Sequence, residues 1–139
     1  MEGRTMCSVF DLVYNEDIPL LRNPADAPES PGVYFLYDRT KSFIYVGKAS
    51  SLRERITRHF SPNEENLKIK RLAYYYKYIL TSTTDEAEIL EGLVFDSWVR
   101  ATGGEYPSAN TDKPPRSALT DTEINTLRLC SQAIRRLIE

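Results

Sequence analysis

Between residues 30 and 60 the pattern of apolar and polar positions changes period once, from two to about four. Val33 to Tyr37 and Phe43 to Val46 are runs of β-branched and aromatic residues, which suit short strands. Asp38-Arg39-Thr40-Lys41 between them is polar and turn-compatible, so the two runs predict a hairpin. A four-residue loop pairs Tyr37 with Ser42, Leu36 with Phe43, Phe35 with Ile44 and Tyr34 with Tyr45. Opposed residues share a face. Tyr34, Tyr45, Leu36 and Phe43 are therefore expected on one side, and Val33, Phe35, Ile44 and Val46 on the other. From Leu52 the period lengthens. Leu52, Ile56 and Phe60 recur at i, i+4 and i+8, the core row of a helix capped by Ser50 or Ser51 and ended with the help of Pro62. Arg55 and His59 lie one turn apart on the adjoining row and face the hairpin. Arg53 and Arg58 point to solvent or a partner.

The remaining pattern supplies the flanks. Ser8 to Tyr14 reads as a strand, followed by a Pro-rich lead-in from Asn23 to Pro31. Glu64 to Leu72 predicts a helix with Leu67, Ile69 and Leu72 leaning inward, and Tyr74 to Thr81 a third strand. The tyrosines at 74, 75, 76 and 78 suit a half-exposed strand that divides them over two faces; stacking on nucleic-acid bases is the alternative. Thr83 or Thr84 caps the next helix, whose stripe is Ala87, Leu90, Val94 and Trp98. Glu91 falls within that stripe, where an ionised carboxylate is costly unless paired or bound to a cation. Gly103-Gly104 break the chain. A capping box at Thr120-Asp121-Thr122-Glu123 opens a last amphipathic helix with Ile124, Leu127, Cys130, Ile134, Leu137 and Ile138 on one side.

Length and composition set the class. A chain of 139 residues with 41% hydrophobic content suits a single soluble α/β (α+β) domain, with a small, mainly antiparallel three-stranded sheet flanked by helices. No run approaches the ~18 apolar residues of a membrane span, and Glu2 and Arg4 do not suit a signal peptide. Two distant cysteines and a single histidine argue against structural zinc. A cytoplasmic setting with reduced thiols is expected. The net charge of −2 does not favour nucleic acid, but its distribution does. Lys41 to Lys77 holds nine Lys or Arg against Glu54, Glu64 and Glu65. Such segregation suits a local polyanion-binding face, with Arg53, Arg58, Lys68, Lys70 and Arg71 as its contacts.

Gly32-Val33-Tyr34, Tyr45-Val46-Gly47-Lys48, the Arg55 helix and a downstream glutamate, in this order, resemble the GIY-YIG nuclease family, and within it the UvrC branch. The likeness spans roughly residues 30 to 110. It implies a nuclease core there, an N-terminal extension over 1–29, and over 111–139 a C-terminal helix packed on the core or at a dimer interface. It also implies a divalent-metal-dependent endonuclease that leaves 5′-phosphate and 3′-hydroxyl ends on DNA, with branched, damaged or nicked DNA among the substrates. By the same resemblance Glu91 holds one Mg²⁺ or Mn²⁺. Gly32, Gly47 and Asn110, at the end of Pro107-Ser108-Ala109-Asn110, support the site.

The chemistry agrees with these assignments. Mg²⁺ often takes one or two protein carboxylates and keeps its waters, so a single glutamate suffices. Arg55 can clamp phosphate oxygens through its planar fork, and Lys48 supplies a point charge. It is not a phosphate-loop lysine, because Ser42 and Ala49 stand where that motif needs Gly and Ser or Thr. A tyrosine is a feeble base at its unperturbed pKa of ~10; Lys48, Arg55 and a metal are expected to lower it. Tyr34 is taken as the base and Tyr45 as orienting water or phosphate. His59 stands where the UvrC branch usually has tyrosine and is expected to donate to phosphate or shuttle a proton. The chain ends where UvrC continues, which points to a stand-alone nuclease. Three competing readings remain: a catalytically silent nucleic-acid- or protein-binding module, an RNA-directed nuclease, and an interaction protein that dimerises or meets a tethering partner through its C-terminal helix.

Overall fold

The structure, a computed structural model, describes residues 9–111. The expected C-terminal helix, Cys7 and Cys130 lie outside them. Three strands, β1 (Gly32–Tyr37), β2 (Phe43–Ala49) and β3 (Tyr75–Leu80), form one antiparallel sheet in the order β2-β1-β3. Among the described residues four α-helices flank it: α1 (Val9–Val13), α2 (Leu52–His59), α3 (Leu67–Leu72) and α4 (Thr84–Ala101). The expected fold class is met. Among the described residues no helix is long and apolar enough to cross a membrane.

The hairpin register differs from the expectation. Tyr34 pairs with Gly47, Phe35 with Val46, Leu36 with Tyr45 and Tyr37 with Phe43. Over residues 34–36 the pairing is slid by two positions. Because side chains alternate with period two, such a slip preserves the face. Tyr34 and Tyr45 therefore still share a side, with ring centroids 6.1 Å apart. The irregularity between Leu36 and Tyr37 leaves Ile44 as the extra residue of a bulge. It exchanges two expected positions: Phe43 joins Val33, Phe35 and Val46, while Ile44 joins Tyr34 and Leu36.

Each face of the sheet has its own core. Val33, Phe35, Tyr37, Phe43, Val46 and Ile79 pack against α1 and α4. Tyr34, Leu36, Ile44 and Tyr76 pack against Leu52 and Ile56 of α2 and Ile69 of α3. The segment read as a first strand is α1, since Val9, Leu12 and Val13 bury at i, i+3 and i+4. α3 is shorter than expected and buries Ile69 alone; Leu67 is 66% exposed. The tyrosine run divides as alternation requires, with Tyr75 packed toward the first core and Tyr76 and Tyr78 in or against the second. Tyr74 lies under the guanidinium groups of Arg22 and Arg39, 3.8 and 4.7 Å from its centroid.

The lead-in has a mechanical role. Ser30 and Pro28 carbonyls accept from the Leu52 and Arg53 N–H groups, satisfying donors that the start of α2 leaves without helical partners. At the other end, Gly103 and Gly104 turn the chain with φ of 74° and 110°, angles that side chains rarely adopt. Residues 107–110 can then return along β2, where the Ala109 N–H donates to the Ile44 carbonyl at 2.8 Å.

Candidate active site

The Tyr34 ring passes directly over Gly47. A β-carbon at Gly47 would collide with the Tyr34 hydroxyl end and the Tyr45 ring, so glycine is the residue that lets the two phenols meet here. Gly32 is equally constrained, against the Ile79 carbonyl and the Leu52 side chain. Asn110 holds the same stretch of β2 from outside. Its Oδ1 accepts from the Val46 N–H at 3.1 Å, and its Nδ2 donates to the Val46 carbonyl at 3.2 Å. The side-chain amide thus pairs with the strand as another strand would, next to Tyr45 and Gly47. Asn66, the N-cap of α3, in turn donates to the Ala109 carbonyl at 2.9 Å.

His59 is turned away from the phosphate-donor alternative. Its ring is buried and turned inward, with Nε2 2.5 Å from the Tyr34 hydroxyl and Nδ1 3.0 Å from Glu64 Oε1. Both ring nitrogens are engaged inside the protein, so neither is placed to donate to a phosphate. Glu64, only 10% exposed at its side chain, was not among the residues singled out from sequence. The Ser61-Pro62-Asn63 turn after α2 positions it, the Glu64 N–H donating to the Ser61 carbonyl at 3.2 Å.

Burial works against acidity in both phenols. Burial pushes Tyr34 well above the ordinary tyrosine range, Tyr45 adds to the rise, and Arg55 only partly offsets it. Tyr45 is raised too, again chiefly by burial and then by Glu91. Taking phenolates out of water outweighs the pull of the neighbouring arginine. Tyr34 has no exposed surface whereas Tyr45 is half-buried, so water reaches Tyr45 first.

α2 and α4 lie against opposite faces of the sheet, and the candidate site draws on both. From α4 comes Glu91, only 9% exposed. Burial pushes its carboxyl up to about 7; Lys48 and Arg55 pull it down, and Glu88 pushes it up. Among the described residues no side chain hydrogen-bonds or ion-pairs with this carboxylate. An isolated buried carboxylate facing two cations is an oxygen donor suited to a hard cation. Among the described residues no group of three or more His, Cys, Asp or Glu converges as a metal cage, so a metal here would rest on at most two such side chains. Arg55 is exposed, yet it influences Tyr34, Tyr45, His59 and Glu91, which places its charge amid all four.

The expected cationic contacts divide into two groups. Lys48 forms an ion pair with Glu88 and is not a free point charge. Arg53 donates from Nε to the Ala27 carbonyl at 2.8 Å and pairs with Glu29 at 3.3 Å, and so holds the lead-in. Lys68 donates to the Ser108 carbonyl at 3.0 Å. Arg58, Lys70 and Arg71 are exposed.

Residues 30–97 match the family model of the UvrC-like GIY-YIG domain. The UvrABC system protein C of Methanosphaera stadtmanae is 38% identical over 77 residues, 51% of this chain and 13% of that protein. That of Cytophaga hutchinsonii is 41% identical over 85 residues, 58% of this chain and 14% of that protein. The match thus spans a small part of each relative's length. Among solved structures, the GIY-YIG N-terminal endonuclease domain of UvrC from Thermotoga maritima, bound to its catalytic magnesium, aligns with TM-score 0.49 and 29% identity. That alignment covers 63% of this chain and 91% of that one.

Proposed function

We propose, from the match of residues 30–97 to the family model of the UvrC-like GIY-YIG domain, that this chain is a divalent-metal-dependent DNA endonuclease. It hydrolyses one phosphodiester to 5′-phosphate and 3′-hydroxyl ends. The observation that carries the reading is the setting of Glu91: a buried carboxylate raised to about 7, with no direct partner among the described residues, beside the charges of Lys48 and Arg55 and near two phenols. Retaining such a carboxylate costs stability, and a metal role gives it a reason. Glu91 would hold one Mg²⁺ or Mn²⁺, which when bound supplies charge stabilisation to the phosphate and the departing oxygen.

The chain's own groups do the rest. Arg55 binds and orients non-bridging phosphate oxygens through its fork. Lys48 exchanges Glu88 for phosphate, an exposed pair that is inexpensive to break. Tyr45 receives the proton of the attacking water, with Tyr34 behind it. Arg58, Lys70 and Arg71 guide the backbone, and Asn110 and Gly47 hold β2 in place. The test is nicking of supercoiled plasmid with Mg²⁺ or Mn²⁺ by wild type, Glu91→Ala and Arg55→Ala. Nicking by wild type that EDTA abolishes, with about 100-fold or greater loss in each variant, is expected. Inert wild type on plasmid, branched and single-stranded DNA would overturn the reading, and cleavage confined to matched RNA would redirect it.

A further inference from the structure

Behind Tyr45 the structure holds a hydrogen-bonded line of polar groups, Tyr34, His59 and Glu64, inside an otherwise apolar core. Glu64 Oε1 meets His59 Nδ1 at 3.0 Å, and His59 Nε2 meets the Tyr34 hydroxyl at 2.5 Å. The Tyr45 ring stacks beside Tyr34 and lies 5.4 Å from the imidazole. The Tyr34 hydroxyl and the edge of the Tyr45 ring crowd the same side of Gly47, and each phenol shifts the other's acidity. Tyr34 and His59 are buried, while Tyr45 and Glu64, at the two ends of this line, are partly exposed.

We infer that these groups form a proton-accepting chain in which Glu64 is a positioning residue, holding His59 with its Nδ1–H toward the carboxylate and its Nε2 lone pair toward Tyr34. This extends the nuclease reading and rests on it. A carboxylate can only accept, so Nδ1 carries the proton; a neutral ring then leaves Nε2 bare, and the Tyr34 hydroxyl donates to it. In the reaction the water oxygen bonds to phosphorus and its proton goes to Tyr45. Tyr45 passes its own proton to Tyr34, and Tyr34 passes its own to Nε2. Both phenols end neutral, and His59 ends as an imidazolium paired with Glu64. The bond from phosphorus to the 3′ oxygen breaks with its electrons on that oxygen, which takes a proton from solvent. His59 then releases its proton to solvent by the reverse route.

The chain answers the difficulty that burial raises in the phenols. Neither tyrosine has to persist as a phenolate, because the proton comes to rest on an imidazole. The groups facing that imidazole are Tyr34 from β1, Tyr45 from β2, Arg55 and Arg58 from its own helix, and Glu64. Burial and the two arginines hold the ring below its ordinary pKa, and Glu64 opposes them. A neutral ring at neutral pH is the form that accepts.

His59 is the single histidine of the chain, so its ring nitrogens can be followed by ¹⁵N NMR without ambiguity. The expected result is the Nδ1–H tautomer in wild type and a lower imidazole pKa in Glu64→Gln. In nicking assays Glu64→Gln should lower kcat about ten-fold or more and shift the acid limb of the pH profile downward, with KM for DNA unchanged. His59→Gln should lower kcat about 100-fold and abolish that limb. Glu64→Asp, which keeps the charge, should recover part of the rate. An Nε2–H tautomer overturns the chain whatever the activity. So does active wild type whose kcat and pH profile survive Glu64→Gln with only the melting temperature changed. Wild type inert on every DNA, with the Nδ1–H tautomer present, overturns the nuclease reading instead and removes the reaction the chain would serve.

Discussion

On one face of the sheet, Phe35, Phe43, Val46 and Ile79 meet Leu12, Val13, Leu90, Val94 and Phe95, and the contact is chiefly hydrocarbon on hydrocarbon, with the Tyr37 hydroxyl donating to the Val13 carbonyl and Lys77 to the Asn15 carbonyl beside it. On the other face, Tyr34 replaces one of those apolar side chains, and a hydroxyl, an imidazole and a carboxylate follow it into the interior. The first face can exchange one hydrocarbon for another of similar volume at modest cost. The second cannot, because each buried polar atom there depends on a specific neighbour. The same backbone thus carries a packing face and a chemical face, and a residue's value depends on which side it occupies.

The contrast breaks most severely at Phe35. It is fully buried and makes an edge contact with Phe43 at 5.9 Å. Phe35→Ala should cost about 3–5 kcal/mol, read as a lowered urea midpoint at constant m-value. If the faces are independent, kcat per folded molecule measured well below the new melting point stays near wild type. A rate loss beyond the unfolded fraction would mean that the packing face also sets the geometry of the tyrosines.

Glu91 tests the opposite case, a charged group set into α4 on the packing face. Its folded-state pKa, about 7, is raised above the ordinary 4.5. Ionising it therefore costs folded more than unfolded protein. The cost begins as pH rises past 4.5 and is complete above about 7. Glu91→Gln should thus be more stable than wild type by about 1–3 kcal/mol at pH 8, with the gain vanishing toward pH 4. Metal-dependent nicking should be lost in the same variant. Equal stability at both pH values would show that the carboxylate is compensated in the folded chain and is not held ready for a cation.

How much of this was legible in the sequence follows the same division. The hairpin, the Ser51 and Thr83 caps and the buried rows of α2 and α4 were readable because periodicity and capping are local. The shared face of Tyr34 and Tyr45 was readable even with the register wrong, because a two-residue slip leaves parity intact. The bulge at Ile44 was not, since no residue type marks it. α1 was missed because five residues, Val9 to Val13, satisfy a strand's composition and a helix's spacing together. Glu64 escaped for a different reason: in a polar loop nothing distinguishes a carboxylate that turns inward. The available signal was the histidine five residues before it, which needs a partner on each nitrogen once its ring is buried. Charge along a sequence also does not reveal that Lys48, Arg53 and Lys68 have partners within the protein.

The smallest expected effect lies at the rim, where Lys48 and Glu88 pair with side chains 32% and 51% exposed. An exposed pair of this kind contributes about 0–1 kcal/mol, so Glu88→Gln should hardly change the urea midpoint. Its functional effect should still be visible, because the substitution frees one cation and removes one anion near Glu91. With Glu88 neutral, the Glu91 carboxyl should titrate below its present value of about 7, since Glu88 is one of the groups that raise it. With Lys48 released, KM for DNA should fall at low salt. The plot of log KM against log salt should also steepen by about 0.9, the increment for one more phosphate contact on duplex DNA. An unchanged slope beside a shifted Glu91 titration would place Lys48 as a partner of the acidic residues of α4 rather than of the phosphate. The rim would then belong with the packing face, and Arg55 would be left to carry the anionic substrate at the site.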